Sequence, residues 1–407
     1  MAARAPFLTT RFGGYYHRGV PSEDQELTHV GPETPCGEYL RRFWQPICFS
    51  DELGDRPLRV SILGEELVVF RDFRGAVGLL ELHCPHRGTS LEFGLISERG
   101  IRCCYHGWLF DVDGAVLETP GEPPNSTLKD RLCHGAYPTH EYNGIVFGYM
   151  GPPDELPPFP MYDSFDRPGY RLIAGRKYHY PCNWLQILEN AMDPVHTAFL
   201  HTIVSGSQFT DEFGKVPELD FVETPVGMIY VATRRVGDNV WARMVENVLP
   251  NLQQVAPIWE HGRQEHSFSG PMMSRWIVPM DDTNTMFIEF RHVSEAAGAT
   301  PAWWADRDVM LPGQLATGSY LSPHERRPPR RRRHARRLHA RQRSAPRRAA
   351  EPYRPGVESS RQRLFLRRRG PGHDRPGDRS SRAARRRGRL DELPSRAAPA
   401  RLGPERL

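Results

Sequence analysis

Two short segments of the chain each supply one cysteine and one histidine. They read Cys84-Pro-His86 and Cys103-Cys-Tyr-His106, with sixteen residues between them, and a glycine closely follows each histidine. Short loops between strands place such side chains on one side, so two loops can hold one metal centre between them. A structural zinc site also accepts two Cys and two His, although zinc fingers usually pair Cys with Cys and His with His. The mixed pairing favours a cluster in which one iron binds both thiolates and the other binds both imidazoles.

This pattern resembles the Rieske 2Fe–2S motif, Cys-x-His followed by Cys-x-x-His. The resemblance implies that Cys84, His86, Cys103 and His106 bind the cluster, with the histidines on its exposed side. Imidazole ligands raise the reduction potential above that of plant-type ferredoxins, which suits electron delivery to oxygen chemistry.

The chain has seven cysteines and lacks an export signal, so a disulfide framework is not expected. Cys104 lies where the family usually has Pro, and the two-residue gap to His106 selects Cys103 over Cys104 as the ligand. We predict that Cys104 is a small buried side chain. We predict a core position for the remaining cysteines, which are Cys36, Cys48, Cys133 and Cys182.

A second motif runs from Glu189 to His201 and contains Asp193, Pro194 and His196. On a straight helix His201 would lie about 140° around the axis from His196, so a regular helix cannot direct both imidazoles at one ion. Pro194 cannot donate a backbone hydrogen bond and disfavours helical geometry at Asp193, which can then cap a new turn. The segment 183–203 is therefore predicted to be an interrupted helix. A kinked core helix with two incidental histidines is the alternative.

This motif is similar to the Rieske oxygenase signature Asp-x-x-His-x-x-x-x-His. The resemblance implies that His196 and His201 bind a mononuclear Fe(II), and two His with one carboxylate leave positions open for O₂ and substrate. It makes Asp193 a bridge between an iron-bound His and a Rieske His of a neighbouring protomer, which implies a ring-like homotrimer. Asn190 is a weaker candidate for a position near the iron. Apolar neighbours either line the substrate pocket or belong to the core: Trp184, Leu188, Met192, Phe199 and Leu200.

The pattern of the chain predicts an α+β protein with four parts. Residues 1–40 form an N-terminal arm with a helix at Pro35 to Phe43. Residues 41–155 read as short strands separated by turn residues, an all-β Rieske 2Fe–2S domain. Residues 156–325 form a catalytic domain of antiparallel sheet with helices. The last part, 326–407, has 28 Arg, no Lys and seven acidic residues.

This Arg-rich tail has almost no apolar periodicity, which predicts either a disordered cationic tail or GC-rich coding DNA read out of frame. The resemblance places a third iron ligand, an Asp on a late helix, where the tail begins. No acidic residue stands in a matching context between 328 and 350, and Glu325 and Asp308 lie outside any recognisable helix face. The hypothesis is that a frame change has removed the third ligand and the last helix, which would weaken the mononuclear iron site. Translation of the other frames beyond codon 325 tests it.

Residues 1–325 carry 26 basic and 42 acidic residues, a net charge of −16, which argues against nucleic acid as a specific partner. No apolar run approaches the roughly 18–20 residues that span a bilayer, and we expect a cytoplasmic protein without membrane contact.

The resemblance is closest to the homo-oligomeric branch with phthalate and phenoxybenzoate dioxygenases and aromatic O-demethylases. It implies a terminal oxygenase that hydroxylates or O-demethylates an aromatic substrate with O₂. Electrons would come from NAD(P)H through a separate reductase or ferredoxin to the cluster, and by way of Asp193 to the iron. A Rieske electron-transfer protein without oxygenase activity is the alternative.

Overall fold

A computed structural model describes residues 8, 10–16, 22–204, 210–258, 270–296 and 302–305 of the 407-residue chain. The Arg-rich tail and the region predicted to supply a third iron ligand lie outside these ranges. No helix in the described ranges is long and apolar enough to cross a bilayer.

The N-terminal half of the described chain is built from antiparallel hairpins around turn glycines. At the first hairpin Leu63 and Gly64 both have positive φ (51° and 76°), the geometry of a tight two-residue turn. Three small sheets result, with strand orders β1-β11-β10, β2-β3-β4-β9 and β5-β6-β7-β8. Their strands are β1 (Gln45–Phe49), β2 (Leu58–Ile62), β3 (Glu65–Arg71), β4 (Val77–Glu81), β5 (Leu95–Ile96), β6 (Ile101–Arg102), β7 (Leu109–Phe110), β8 (Val116–Glu118), β9 (Ala136–Tyr137), β10 (Thr139–Tyr142) and β11 (Ile145–Gly148).

The C-terminal half of the described residues forms one antiparallel sheet of seven strands in the order β12-β18-β17-β16-β15-β14-β13. The predicted all-β part followed by an antiparallel sheet with helices is confirmed. The strands are β12 (Tyr170–Tyr180), β13 (Glu218–Thr224), β14 (Gly227–Val236), β15 (Asn239–Val248), β16 (Leu252–Val255), β17 (Met273–Pro279) and β18 (Thr285–Ser294).

Helices are few and short in the described part of the chain. The helix predicted near Pro35 begins at that residue, with the Thr34 hydroxyl accepting from the Gly37 amide at its N-terminus. The α-helices are α1 (Gln25–Thr28), α2 (Pro35–Arg41), α3 (Trp184–Ala191), α4 (Val195–Ala198) and α5 (Ala302–Ala305), and a π-helical segment covers Phe199–Val204. Single 3₁₀ turns cover Gly13–Tyr16, Ser50–Glu52, Leu91–Phe93, Lys129–Arg131, Pro153–Glu155, Asp163–Asp166 and Asp211–Gly214.

A shared core joins the small sheet β1-β11-β10 to the large sheet. Phe147 of β11 packs edge-on against Trp276 of β17 with ring centroids 5.4 Å apart. The first hairpin turn adds backbone hydrogen bonds, in which the Leu63 and Gly64 amides donate to the large sheet at 2.9 and 2.8 Å. The side-chain amide of Asn251 also donates a buried hydrogen bond of 2.8 Å to the side-chain oxygen of Gln45. A second, smaller core lies under the two Cys/His loops.

Candidate metal centres

The two Cys/His loops have the same backbone construction. In each loop the cysteine amide donates to the carbonyl five residues further on, at 2.9 Å for Cys84 and 2.8 Å for Cys103. The glycine amide donates back to the cysteine carbonyl, at 2.9 Å for Gly88 and 3.1 Å for Gly107. Both glycines have positive φ (70° and 74°), which L side chains rarely adopt, so glycine is required to close the loops.

These loops bring the four predicted cluster residues together. The sulfurs of Cys84 and Cys103 are in hydrogen-bond contact, and each residue is only 3% exposed. Burial, with a contribution from the neighbouring Cys103, raises the pKa of the Cys84 thiol to about 11. The rings of His86 and His106 have centroids 4.5 Å apart; His86 is half-buried and His106 is exposed.

The donor set fits a Rieske cluster. Two thiols converge on one side and two imidazoles on the other, the arrangement that a 2Fe–2S cluster with mixed ligation needs. The Nδ1 atom of His86 is buried without a hydrogen-bond partner. A buried polar atom of this kind costs free energy unless a ligand takes it up, and a metal ion would do so.

Trp108 is a site residue to which the sequence argument assigned no role. Its indole is 5% exposed and stacks on the His86 ring, with centroids 5.0 Å apart and planes only 6° from parallel. Its position directly after the second loop is the signal that could have identified it. The stack orients His86 from the protein side.

Three of the cysteine predictions need correction. Cys104 is exposed and not buried, because it lies in the turn at the tip of the second loop, whereas Cys103 before the turn is buried. Cys133 is also exposed, since it lies in a surface segment held by a single bridge to Ala115. Cys182 is only half-buried. The predicted core positions of Cys36 and Cys48 are confirmed.

The second motif lies on an interrupted helix, as predicted. The Asn183 side chain caps α3 by accepting from the Leu185 amide at 3.0 Å. After α3 ends, the Asp193 carboxylate accepts from the Val195 amide at 2.8 Å and so supports the start of α4. The Asp193 side chain thus bonds the first amide of α4, but the N-cap position belongs to Pro194, one residue later than predicted.

The cause of the helical irregularity between the histidines differs from the prediction. Pro194 precedes both His196 and His201, so it cannot change the angle between them. The change comes from the π-helical segment Phe199–Val204, in which i to i+5 hydrogen bonding places residues five apart near one face. The two imidazole centroids are 5.0 Å apart at an interplanar angle of 67°.

His196 is held in an orientation suited to metal binding. Its Nδ1 donates to the Asp193 backbone carbonyl, and the Asp193 carboxylate lies 3.8 Å from the same nitrogen. Burial lowers the pKa of His196, against the raising effect of Asp193, which favours the neutral imidazole. With Nδ1 occupied, Nε2 is the nitrogen available to a metal.

The structure gives no third ligand for this pair. Within the ranges that the structure describes, no three His, Cys, Asp or Glu side chains are arranged to hold one metal ion. Glu325, Asp308 and residues 328–350 lie outside those ranges. Asn190 is exposed on α3.

The predicted pocket residues divide into two groups. Trp184 and Leu188 are buried in the main core, whereas Phe199 and Leu200 are 49% and 45% exposed. Met192 packs against the large sheet beside a small apolar cluster of Tyr230, Ala232, Val245 and Val255.

The sequence did not identify two buried arginines that share one face of the large sheet. Arg234 of β14 and Arg243 of β15 are 3% and 9% exposed. Burial, then the proximity of Arg243, lowers the pKa of Arg234 to about 10. No spacing rule singles them out among the many arginines of the chain.

Together the fold and the two donor sets define a Rieske-type oxygenase subunit, and comparison with known proteins agrees. Residues 43–138 match the model of the Rieske [2Fe-2S] domain, and residues 148–311 match that of the LigXa C-terminal domain like family. The chain belongs to the Rieske oxygenase alpha subunits. The predicted family is confirmed.

The chain is 48% identical to the tert-butanol monooxygenase / tert-amyl alcohol desaturase oxygenase subunit of Aquincola tertiaricarbonis, covering 70% of this chain and 64% of that protein. It is 40% identical to phenoxybenzoate dioxygenase subunit alpha of Ectopseudomonas oleovorans, covering 69% and 71%. The chain thus spans about two thirds of the length of these relatives. Dicamba monooxygenase bound to dicamba shares the fold at 21% identity, with a TM-score of 0.53 over 66% of this chain and 84% of that one.

Proposed function

We propose that this protein is the terminal oxygenase component of a Rieske oxygenase system, which hydroxylates or O-demethylates an aromatic substrate. The observation that carries the proposal is the presence of two separate donor sets in one chain, two Cys with two His in paired loops and two His across a π-helical segment. An electron-transfer protein would need only the first set. Electrons would come from a separate reductase or ferredoxin, and a homotrimer is the proposed assembly.

We propose that residues 41–155 form the Rieske domain and residues 156–325 the catalytic domain, with residues 1–40 as an arm. Cys84, His86, Cys103 and His106 would hold the 2Fe–2S cluster, and His196 with His201 would hold the mononuclear iron. When bound, these groups supply electron storage and O₂ activation at positions that two His ligands leave open.

The protein's own residues support these sites in specific ways. Asp193 keeps the proton of His196 on Nδ1, through the hydrogen bond to its carbonyl, and so presents Nε2 as an unprotonated donor. Its carboxylate, 31% exposed, supports α4 and stays accessible for a second contact, the proposed bridge to a Rieske histidine of a neighbouring subunit. Trp108 excludes water from one face of His86.

The two relatives are named for different classes of substrate. One is named for tertiary alcohols and the other for phenoxybenzoate, an aromatic acid. We propose an aromatic acid for this chain, since the face of the large sheet beside the histidine pair carries two buried cationic side chains that a carboxylate would neutralise.

Substitution of the two adjacent cysteines tests the first site. Cys103→Ser should abolish the visible and EPR spectra of the cluster and remove its iron and sulfide. Cys104→Ser is the matched control, and it should keep both because its thiol is exposed. A cluster lost in both variants, or in neither, would contradict the assigned ligand set.

Iron analysis tests the second site. An oxygenase that holds both centres contains about three irons per chain, and a carrier about two. His201→Ala should then lose about one iron while the Rieske spectrum is unchanged. If His201→Ala leaves the iron content of the purified protein unaltered, the histidine pair does not hold iron and the electron-carrier alternative stands.

A further inference from the structure

A cavity of about 310 Å³ lies where the small sheet β1-β11-β10, the proline-rich segment 157–160 and the large sheet meet. Its walls include the aromatic rings of Phe147, Phe159, Phe165 and Trp276. The Phe147 ring packs edge-on against Phe159 and Trp276, with centroids 4.9 and 5.4 Å away. An apolar cavity of about 150 Å³ already holds benzene, so this one has room for a substituted ring or two fused rings.

The cavity lies on the face of the large sheet opposite the histidine pair. Leu252 and Trp276 line it, and they are direct partners across β16 and β17, so both side chains share one face. Val255, three residues after Leu252, points to the other face and belongs to the apolar cluster against which Met192 packs. Met192 connects α3 to α4, which carries His196. A ligand in the cavity therefore leaves the candidate iron site free.

The cavity favours an uncharged ligand. In the part of the chain that the structure describes, Arg42 is the one charged side chain of the lining. Its guanidinium forms an ion pair with the carboxylate of Glu155, and the two side chains are 47% and 50% exposed, so this pair belongs to the rim. Removing an ion from water is costly unless an opposite charge compensates it, and the walls offer none.

Two buried polar side chains also line the cavity. Asn251 and Trp276 are 2% and 4% exposed. The Asn251 amide donates to the side-chain oxygen of Gln45 at 2.8 Å and to the Ile277 carbonyl at 3.0 Å, which leaves its own side-chain oxygen as an acceptor. Within the described ranges, neither this oxygen nor the indole N–H of Trp276 has a hydrogen-bond partner. A hydroxyl group is donor and acceptor at once, so one hydroxyl can complement both atoms.

We propose that this cavity is a binding site for a neutral phenol. The ring packs among the aromatic walls, and the hydroxyl accepts from the indole of Trp276 and donates to the side-chain oxygen of Asn251. The site is separate from the histidine pair, and the inference does not depend on the proposed oxygenase function.

Binding to the purified full-length protein in its oxidised state tests the site without turnover. Isothermal titration calorimetry would compare phenol with toluene, which has a similar size and no hydroxyl, and with benzoate, which is an anion. The two-ring ligand 2-naphthol tests the size of the cavity. We expect phenol or 2-naphthol to bind about tenfold or more tightly than benzoate, because the walls do not compensate a charge.

Trp276→Phe keeps a ring and removes the N–H donor. The ratio of phenol affinity to toluene affinity should fall about fivefold or more, since the hydroxyl loses a partner in a buried site. Trp241→Phe is the matched control, because Trp241 lies on β15 and does not line the cavity, and it should leave this ratio unchanged.

Blocking the rim provides a second variant if Trp276→Phe fails to fold. Val226 lines the cavity and is 53% exposed, so Val226→Trp should be tolerated and should weaken phenol and toluene binding alike, by about tenfold. Val240→Trp is its control, at a residue that is 61% exposed and lies outside the lining. His201→Ala should keep phenol binding, because the cavity lies on the other face of the sheet.

The proposal is overturned if neither phenol nor 2-naphthol binds more tightly than benzoate, if Trp276→Phe leaves the affinity ratio unchanged, or if Val226→Trp has no more effect than Val240→Trp. Loss of phenol binding in His201→Ala would also refute it, since the ligand would then lie at the histidine pair.

Discussion

Trp108 offers a quantitative test of how the protein supports the first metal site. Its side chain is 5% exposed, belongs to the core under the loops and stacks on His86. Truncation of a buried aromatic to alanine costs about 3–5 kcal/mol, of which the ring stack accounts for about 0.5–1.5 kcal/mol. At about 2–4 °C per kcal/mol, the slope for domains of about 150–250 residues, we expect Trp108→Ala to lower the melting temperature by about 6–20 °C. Loss of the support behind a ligand should also weaken iron retention by about 10- to 100-fold.

The assay follows the visible absorbance of the cluster during heating, and then its loss to an iron chelator under anaerobic conditions. Trp108→Phe is the control, because it retains a ring against His86 and most of the apolar burial, and it should cost about 1–2 kcal/mol. The reasoning fails if alanine and phenylalanine have the same effect, or if Trp108→Ala lowers the melting temperature by less than about 3 °C.

Three other predictions concern the framework around the sites. Burial would raise the pKa of Asp111, but hydrogen bonds, first among them from Arg99, hold that pKa below its usual value. The carboxylate therefore stabilises the fold above the unfolded pKa of about 4 and loses this effect as the pH falls through its lower folded pKa, so Asp111→Asn should cost about 1–2 kcal/mol at pH 7 and progressively less below about pH 4 in urea titrations. Gly100→Ala should lower the free energy of unfolding by at least about 3 kcal/mol, since a Cβ there would lie 1.9 Å from a backbone oxygen of β7. Gly75 has a similar positive φ but open space around it, so Gly75→Ala should cost only about 1 kcal/mol in the same thermal assay. Asn183→Ala removes the α3 cap and two bonds of 2.8 Å to backbone carbonyls, and should cost about 2–3 kcal/mol; Asn183→Ser, whose hydroxyl can still cap α3, should cost about half as much by urea denaturation.

The local features of the sites could be predicted because their determinants are close in sequence. The spacing within each Cys/His loop identified four side chains that the structure brings together, and the proline after Asp193 indicated an interrupted helix. The π-helical segment itself could not be predicted from the sequence, since such a segment is stabilised by tertiary packing and has no characteristic amino-acid composition. The exposure of Cys104 and Cys133 was missed for a related reason: whether a small side chain faces the core depends on where the strands on either side are paired.

The sequence by itself determined the donor types, their grouping into two loops and one helical segment, and the order of an all-β part before an antiparallel sheet. These follow from neighbouring residues and turn chemistry. Only the tertiary structure decided which surface surrounds the second site. Arg243 lies opposite Ala232, and Arg234 opposite Trp241, through the register of β14 and β15. A shift of one residue in that register would put the two guanidinium groups on opposite faces of the sheet, because side chains alternate along a strand. The physical reason for the difference is that ligand spacing is encoded locally, whereas the direction of a strand side chain is settled only when the whole sheet assembles.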